Sequence, residues 1–333
     1  MVQHSLQRPP TRVVSRIAVD FLLRSVRLVT RHLNGDILGG LTILALLQGK
    51  YAQLALNPAE RGRTGEARPV SVQSLARSLK TPAETMRRCV GRLLELGWLE
   101  RVPAKGVMIS NDPKASAEIA SLLGEFRAEF RRMLVDLKSI GFDFDLMDHT
   151  GEQHDAMIVE VPGIAQYSPC RNDVFDSHDP AIDRAILDFG LRIIDEGTAP
   201  LLNDYVLSCV VGAIVSANTS SVAYDPEASW IYGNEEISLP DDVRRPVTLA
   251  EISQLLGVPY ETTRRYVNKL VKWRFCVRDE RKLLIIPAAH LNLPVSQAVR
   301  ANIVKRFVQM VGELKRLGVD FRALEARTQS RSN

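Results

Sequence analysis

The 333-residue chain contains a long internal repeat. Arg68-Pro69-Val70-Ser71-Val72 returns as Arg245-Pro246-Val247-Thr248-Leu249, 177 positions later, and the register then runs without a gap. Leu75 falls on Ile252, Leu79 on Leu256, Pro82 on Pro259, Val90 on Val267 and Leu93 on Leu270. The same offset still aligns Leu137–Phe144 with Leu314–Phe321. Upstream, Leu33-Asn34 ahead of one apolar segment resembles Leu202-Asn203 ahead of another. Register kept over so many positions marks a duplication, and each copy must fold into the same supersecondary module.

Each copy gives the same pattern. A helix (15–33 and 180–196) leads to an apolar helix (36–50 and 199–217), then a polar connection containing Gly and Pro. A compact unit of about 45 residues follows. A long amphipathic helix (112–140 and 294–318) closes the copy. In the compact unit Val72, Leu75, Ala76 and Leu79 share one helical face. The turn reads Leu79-Lys80-Thr81-Pro82 in one copy and Leu256-Gly257-Val258-Pro259 in the other, and proline suits the first position of the next helix. Thr81-Pro82-Ala83-Glu84 reads as a capping box, with Glu84 structural. Val90, Leu93, Leu94 and Gly97 give that helix its inner stripe. Two strands follow, 98–102 with 107–109 and 275–278 with 283–286, with Trp98 and Phe275 as core anchors. Helix, tight turn, helix and β-ribbon describe a winged helix-turn-helix.

The run Leu-(Gly)-Val-Pro-x-Glu-Thr-Thr-Arg-Arg-x-Val-x-x-Leu resembles the reading heads of GntR-, MarR- and IclR-type transcription regulators over about 45 residues per copy. The resemblance implies that the second helix of each unit enters the major groove of double-stranded DNA. It carries base and phosphate contacts onto Thr85, Arg87, Arg88 and Arg92 in the first copy. In the second they fall on Tyr260, Thr262, Thr263, Arg264, Arg265 and Lys269. Wing-tip Lys105, Arg281 and Lys282 would lie by the flanking groove or backbone. Arginine can hold guanine bidentately, and threonine hydroxyls suit phosphate. Tyr260, Tyr266, Lys269 and Lys272 distinguish the second copy, so the heads are expected to read different half-sites, the second more strongly.

Charge is segregated accordingly. Residues 246–333 hold 16 Lys and Arg against 7 Asp and Glu, residues 1–150 hold 22 against 15, and the stretch between is acidic. The four cysteines (Cys89, Cys170, Cys209, Cys276) are scattered without a CxxC pair, which suits free thiols in a reducing compartment. No signal-peptide pattern is read at the N-terminus, and Ile37–Leu47 and Val206–Ala217 are read as too short to span a bilayer. A cytoplasmic, nucleoid-associated protein without a membrane partner is the expectation. His149, His154, Cys170 and His178 match no usual metal spacing, and no phosphate loop, GxSxG or HExxH motif occurs, so no metal, cofactor or enzyme activity is expected. Arg24, Arg27 and Arg31 share a face of the first helix, read as a solvated face in preference to a contact with DNA backbone.

The expected architecture is mainly α with small β-wings, two winged modules with long flanking helices forming a pseudo-dimer within one chain. Its divisions are a flexible N-terminus (1–14), a first module (15–145, head 68–110), an acidic linker (146–179), a second module (180–322, head 245–287) and a flexible tail (323–333). The heads would then address an imperfect inverted repeat. Further homodimerisation through the last long helix stays open, and a small-molecule effector, unidentified, would have to bind among the helices between the heads. Two alternatives remain: an origin-binding replication initiator, which also places two winged helices in one chain, and a tandem winged-helix scaffold that grips protein partners.

Overall fold

The computed structural model describes residues 10–56, 68–145, 175 and 178–324. Over these residues the chain is mostly helical, with two small antiparallel sheets. The first copy runs α1 (Thr11–His32), α2 (Ile37–Leu56), α3 (Val72–Ser78), α4 (Ala83–Glu95), β1 (Leu99–Val102), β2 (Gly106–Ile109) and α5 (Pro113–Ser139). The second runs α6 (Pro180–Thr198), α7 (Tyr205–Ala223), a short α8 (Pro226–Ile231), α9 (Leu249–Leu256), α10 (Tyr260–Lys272), β3 (Val277–Arg278) and β4 (Leu284–Ile285). It closes with a one-turn α11 (Ala288–Leu291) and α12 (Pro294–Arg316).

Local chemistry sets the starts of several of these helices. Asp112, Asp179 and Asp204 cap α5, α6 and α7 by accepting from backbone N–H groups of the first turn, and Pro113 and Pro180 preset the first φ. The α1–α2 turn puts Asn34 and Gly35 at φ of 50° and 82°, and the α6–α7 turn puts Leu202 and Asn203 at 59° and 56°. The shared left-handed pair therefore aligns Asn34 with Leu202 and Gly35 with Asn203, one residue off the Leu33-Asn34 and Leu202-Asn203 pairing read from sequence.

The copies are crossed in the core. α2 packs on α6, and α7 packs on α1, while α1 also lies against α5 and α12. At the centre Phe21 meets Phe126, Phe130 and Phe189 with ring centroids 5.4, 5.6 and 6.1 Å apart. One apolar cluster thus joins side chains from both copies. Two hydroxyls extend the exchange to the compact units. Thr30 of α1 donates to the Leu256 carbonyl at 2.8 Å, and Tyr205 of α7 donates to the Leu79 carbonyl at 2.9 Å. Leu79 and Leu256 are equivalent positions, so each copy reaches the same helix-end carbonyl in the other.

Several expectations need correction. α1 starts at Thr11, with Arg12, Val13 and Val14 buried, because its first turn docks on the segment around Gly233 and Asn234; residues 11–14 are not a loose end. At the other end Phe321–Ala323 form a 3-10 turn and Leu324 is buried, so 323 and 324 belong to the folded body. α7 extends past its apolar run to Ala223, giving 19 residues whose length and composition would suffice to cross a membrane. The extension carries Asn218 and Thr219, both buried; Asn218 donates to the Arg245 carbonyl at 2.8 Å and accepts from the Ile286 N–H at 3.0 Å. Most of the 146–179 stretch lies outside the described residues. Within it His178 is 2.7 Å from Asp183, which also takes a bidentate contact from Arg127 at 3.0 and 3.1 Å.

Each hairpin is widened by one bridge, Val70 to Val107 and Val247 to Leu284, again 177 residues apart. Gly106 sits at φ +123° with the Val70 carbonyl where a Cβ would stand. Gly106→Ala is therefore expected to destabilise the chain by at least roughly 1–3 kcal/mol, read by urea unfolding. Wild-type stability would show that the bridge gives way freely.

Candidate nucleic-acid interface

α3 and α9 set the stage for α4 and α10. Ser71 caps α3 by accepting from the Ser74 N–H. At the equivalent place Thr248 and Glu251 form a full capping box on α9, which the Thr-x-x-Glu spacing could have revealed. The box expected at Thr81–Glu84 is absent. Thr81 donates its hydroxyl to the Leu79 carbonyl at 2.9 Å, and α4 has Pro82 as N-cap with no side-chain cap. Pro259 plays the same part for α10, so both prolines stand one residue earlier than expected. Thr248→Ala should cost about 1 kcal/mol in thermal or urea unfolding, and Thr81→Ala distinctly less. Equal losses would contradict the observed caps.

Without side-chain caps, the first N–H groups of α4 and α10 are left for water or an anion. The inner face of α4 is Met86, Cys89, Val90 and Leu93, and that of α10 is Thr263, Val267 and Leu270. Thr263 must be withdrawn from the surface set: it is fully buried at the position of Met86, its hydroxyl turned to the Pro259 carbonyl. Its spacing to Val267 and Leu270 was the signal. Thr262 is half-buried, while Thr85, Arg87, Arg88, Tyr260, Arg264 and Arg265 are exposed.

These cations are lightly held. Arg87 and Arg88 both reach Glu84, and Arg264 lies 2.7 Å from Glu261. Exposed pairs one turn apart contribute only about 0.2–0.5 kcal/mol, so an incoming anion displaces them at little cost. Arg265 lies over Tyr266, 5.2 Å from the ring centroid. α10 carries four cations to one acid, whereas α4 carries three to two, so the second helix attracts polyanions more strongly.

Arg92 and Lys269, equivalent positions, are braces. Arg92 donates to Asp36 at 2.5 Å and Lys269 lies 3.6 Å from Asp204, each acid sitting at the start of the apolar helix of its own copy. Lys269 also stands 4.8 Å over Trp273. Both therefore hold the exposed helix to its support, a role that motif position alone could not show. At the hairpin tips Lys105, Arg281 and Lys282 are exposed. Ala104 and Lys282 hold φ of 59° and 65°, a tight turn that projects the tip. Arg278 donates to Asn268 at 2.9 Å and ties the second hairpin to α10, a contact the sequence did not suggest.

The arginine face of α1 is not a solvated one throughout. Arg24 binds Glu129 at 2.5 Å and Arg31 binds Glu125 at 2.8 Å, leaving Arg27 exposed. Trp98 is buried as expected, and Phe275 is half-buried beside His290. Burial pushes the Cys89 and Cys276 thiols up to about 11, so neither is a ready nucleophile. No protein-family model matches the chain, and no curated protein or solved structure matches it either.

Proposed function

We propose that the chain is a sequence-specific, double-stranded DNA-binding transcription regulator built from two non-identical winged helix-turn-helix heads. One observation carries this reading. The same helix, turn, helix and hairpin occur twice, and both present arginines at equivalent exposed positions, Arg87 with Arg264 and Arg88 with Arg265. Uncapped starts of α4 and α10 suit phosphate, and Lys105, Arg281 and Lys282 suit the flanking backbone. The crossed packing of α1 on α7 and α2 on α6 supports a pseudo-dimer within one chain, resembling the interlocked helices of MarR-like dimers. Two such heads would meet an imperfect inverted repeat on successive major-groove faces about 34 Å apart. The protein would then work in the cytoplasm on the nucleoid, without cofactor, metal or catalysis.

Selection of bound genomic fragments by purified protein at physiological salt, followed by footprinting, tests this. The expected result is two unequal protected half-sites in promoter regions. Iterated repeats at origins would favour a replication initiator, and binding without sequence preference would sink the regulator reading.

A further inference from the structure

A cavity of about 380 Å³ opens between α1, α7 and α12, within the size range of small-molecule sites. Val19, Leu23, Cys209, Val215, Val299 and Ile303 line its body. Arg12, Arg16, Arg244 and Arg300 gather where α1 begins. Two carboxylates face these four guanidiniums. Glu235 lies 3.1 Å from Arg12 and 2.5 Å from Arg300, and Asp241 lies 3.1 Å from Arg244 Nε.

Arg16 has only a backbone partner among the described residues, the Tyr232 carbonyl at 2.9 Å. Its Nη1 is buried without a hydrogen bond, and so is Nη1 of Arg244, whose side chain is 1% exposed. Burial, reinforced by Arg12, Arg244 and Arg300, lowers Arg16 to about 10. Unpaired buried N–H groups on cations are costly, so the site is built for a negative group that it does not itself supply. Arg12 and Arg16 come from the first copy, and Arg244 and Arg300 from the second. Arg300 corresponds to Leu123, and with the left-handed pairs of the α1–α2 and α6–α7 turns superposed Arg12 corresponds to Pro180 and Arg16 to Arg184, which pairs with Glu313. The pseudo-equivalent arginine is thus paired with a carboxylate, whereas Arg16 has only the backbone carbonyl among the described residues.

We infer that this cavity binds an aliphatic carboxylate, its chain in the apolar body and its head group held by Arg16 and Arg244. From Arg12 to Leu23 the wall of α1 runs roughly 16 Å, enough for a chain of about ten carbons. Trp273 and Phe275, directly after α10, also line the cavity. Resting on the regulator reading, the consequence is that ligand occupancy resets the second head and changes its affinity for DNA.

Calorimetric titration of the full chain with decanoate, in the absence of DNA, tests the site. Saturable one-to-one binding is expected, with acetate and decanol at least about tenfold weaker because each lacks one half of the recognition. Arg16→Gln should weaken decanoate roughly 10- to 100-fold. Gly212→Leu fills the body of the cavity, its Cβ 3.5 Å from Val19, and should abolish binding in a chain whose circular dichroism is unchanged. Absence of saturable binding, equal binding of decanol, or wild-type affinity in both variants overturns the proposal. DNA affinity measured with and without decanoate is a separate arm. An unchanged value with decanoate bound removes only the coupling to α10, and a chain that binds decanoate but no DNA keeps the site while the regulator reading fails.

Discussion

Replacing Arg87 and Arg264 together with alanine is expected to reduce affinity for the selected DNA roughly 30- to 10,000-fold, down towards the non-specific level. Each arginine that reads a guanine contributes about 1–3 kcal/mol of discrimination, and the two positions lie on different heads, so their losses add. The folded state should not register the change. The side chains are 67% and 54% exposed and pair only with Glu84 and Glu261, so stability should shift by no more than about 0.5 kcal/mol. Arg264→Ala alone should cost more than Arg87→Ala, because α10 is the more basic helix. Substituting Lys105, Arg281 or Lys282 should act differently, weakening all sequences alike and lowering the salt slope by about one per contact. Fluorescence anisotropy against matched and scrambled duplexes reads all of these. Unchanged affinity in the double variant would favour the scaffold that grips protein partners.

Phe21→Ala is expected to destabilise the whole molecule by about 3–5 kcal/mol. Phe21 is fully buried on α1, and its ring touches Phe126 and Phe130 of the first copy and Phe189 of the second. A void there loosens both copies at once. The informative readout is cooperativity. Trp98 lies in the first compact unit and Trp273 at the end of α10 in the second, so single-tryptophan variants report each head separately. Coincident urea midpoints, moving together in Phe21→Ala, are the expected outcome. Two separated transitions would mean that the copies fold as independent domains.

Much of this was legible in the chain. The offset of 177 placed α3, α4, β1, β2 and α5 on α9, α10, β3, β4 and α12, because repeated periodicity reports repeated burial. What failed was knowledge of neighbours. Periodicity says that a face is apolar, not which helix covers it, so the crossing of α2 onto α6 and of α7 onto α1 was invisible. The roles of Arg24 and Arg31 depend on acids of α5, and those of Arg92 and Lys269 on Asp36 and Asp204, all distant in sequence. Thr263 was different: Val267 and Leu270 follow it at inner-face spacing, and motif position was given more weight than period. The arginine cavity escaped for the same reason as the crossing, since Arg12, Arg16, Arg244 and Arg300 come together only in the fold.

The crossed core also has a consequence for how the chain is made. α2 is apolar almost all round, and its main partner α6 is encoded more than a hundred residues later. At ordinary synthesis rates that partner emerges roughly 10–30 s after α2 does. During that interval α2 lacks its main partner, with α1, α4 and β2 of its own copy beside it, and α1 can pack on α5 but not yet on α7. The first copy therefore cannot finish folding on the ribosome ahead of the second, although it carries its own compact unit. A stalled or prematurely ended chain would present the bare faces of α1 and α2 to its surroundings. Those two faces are where an unfinished chain would be most open to aggregation.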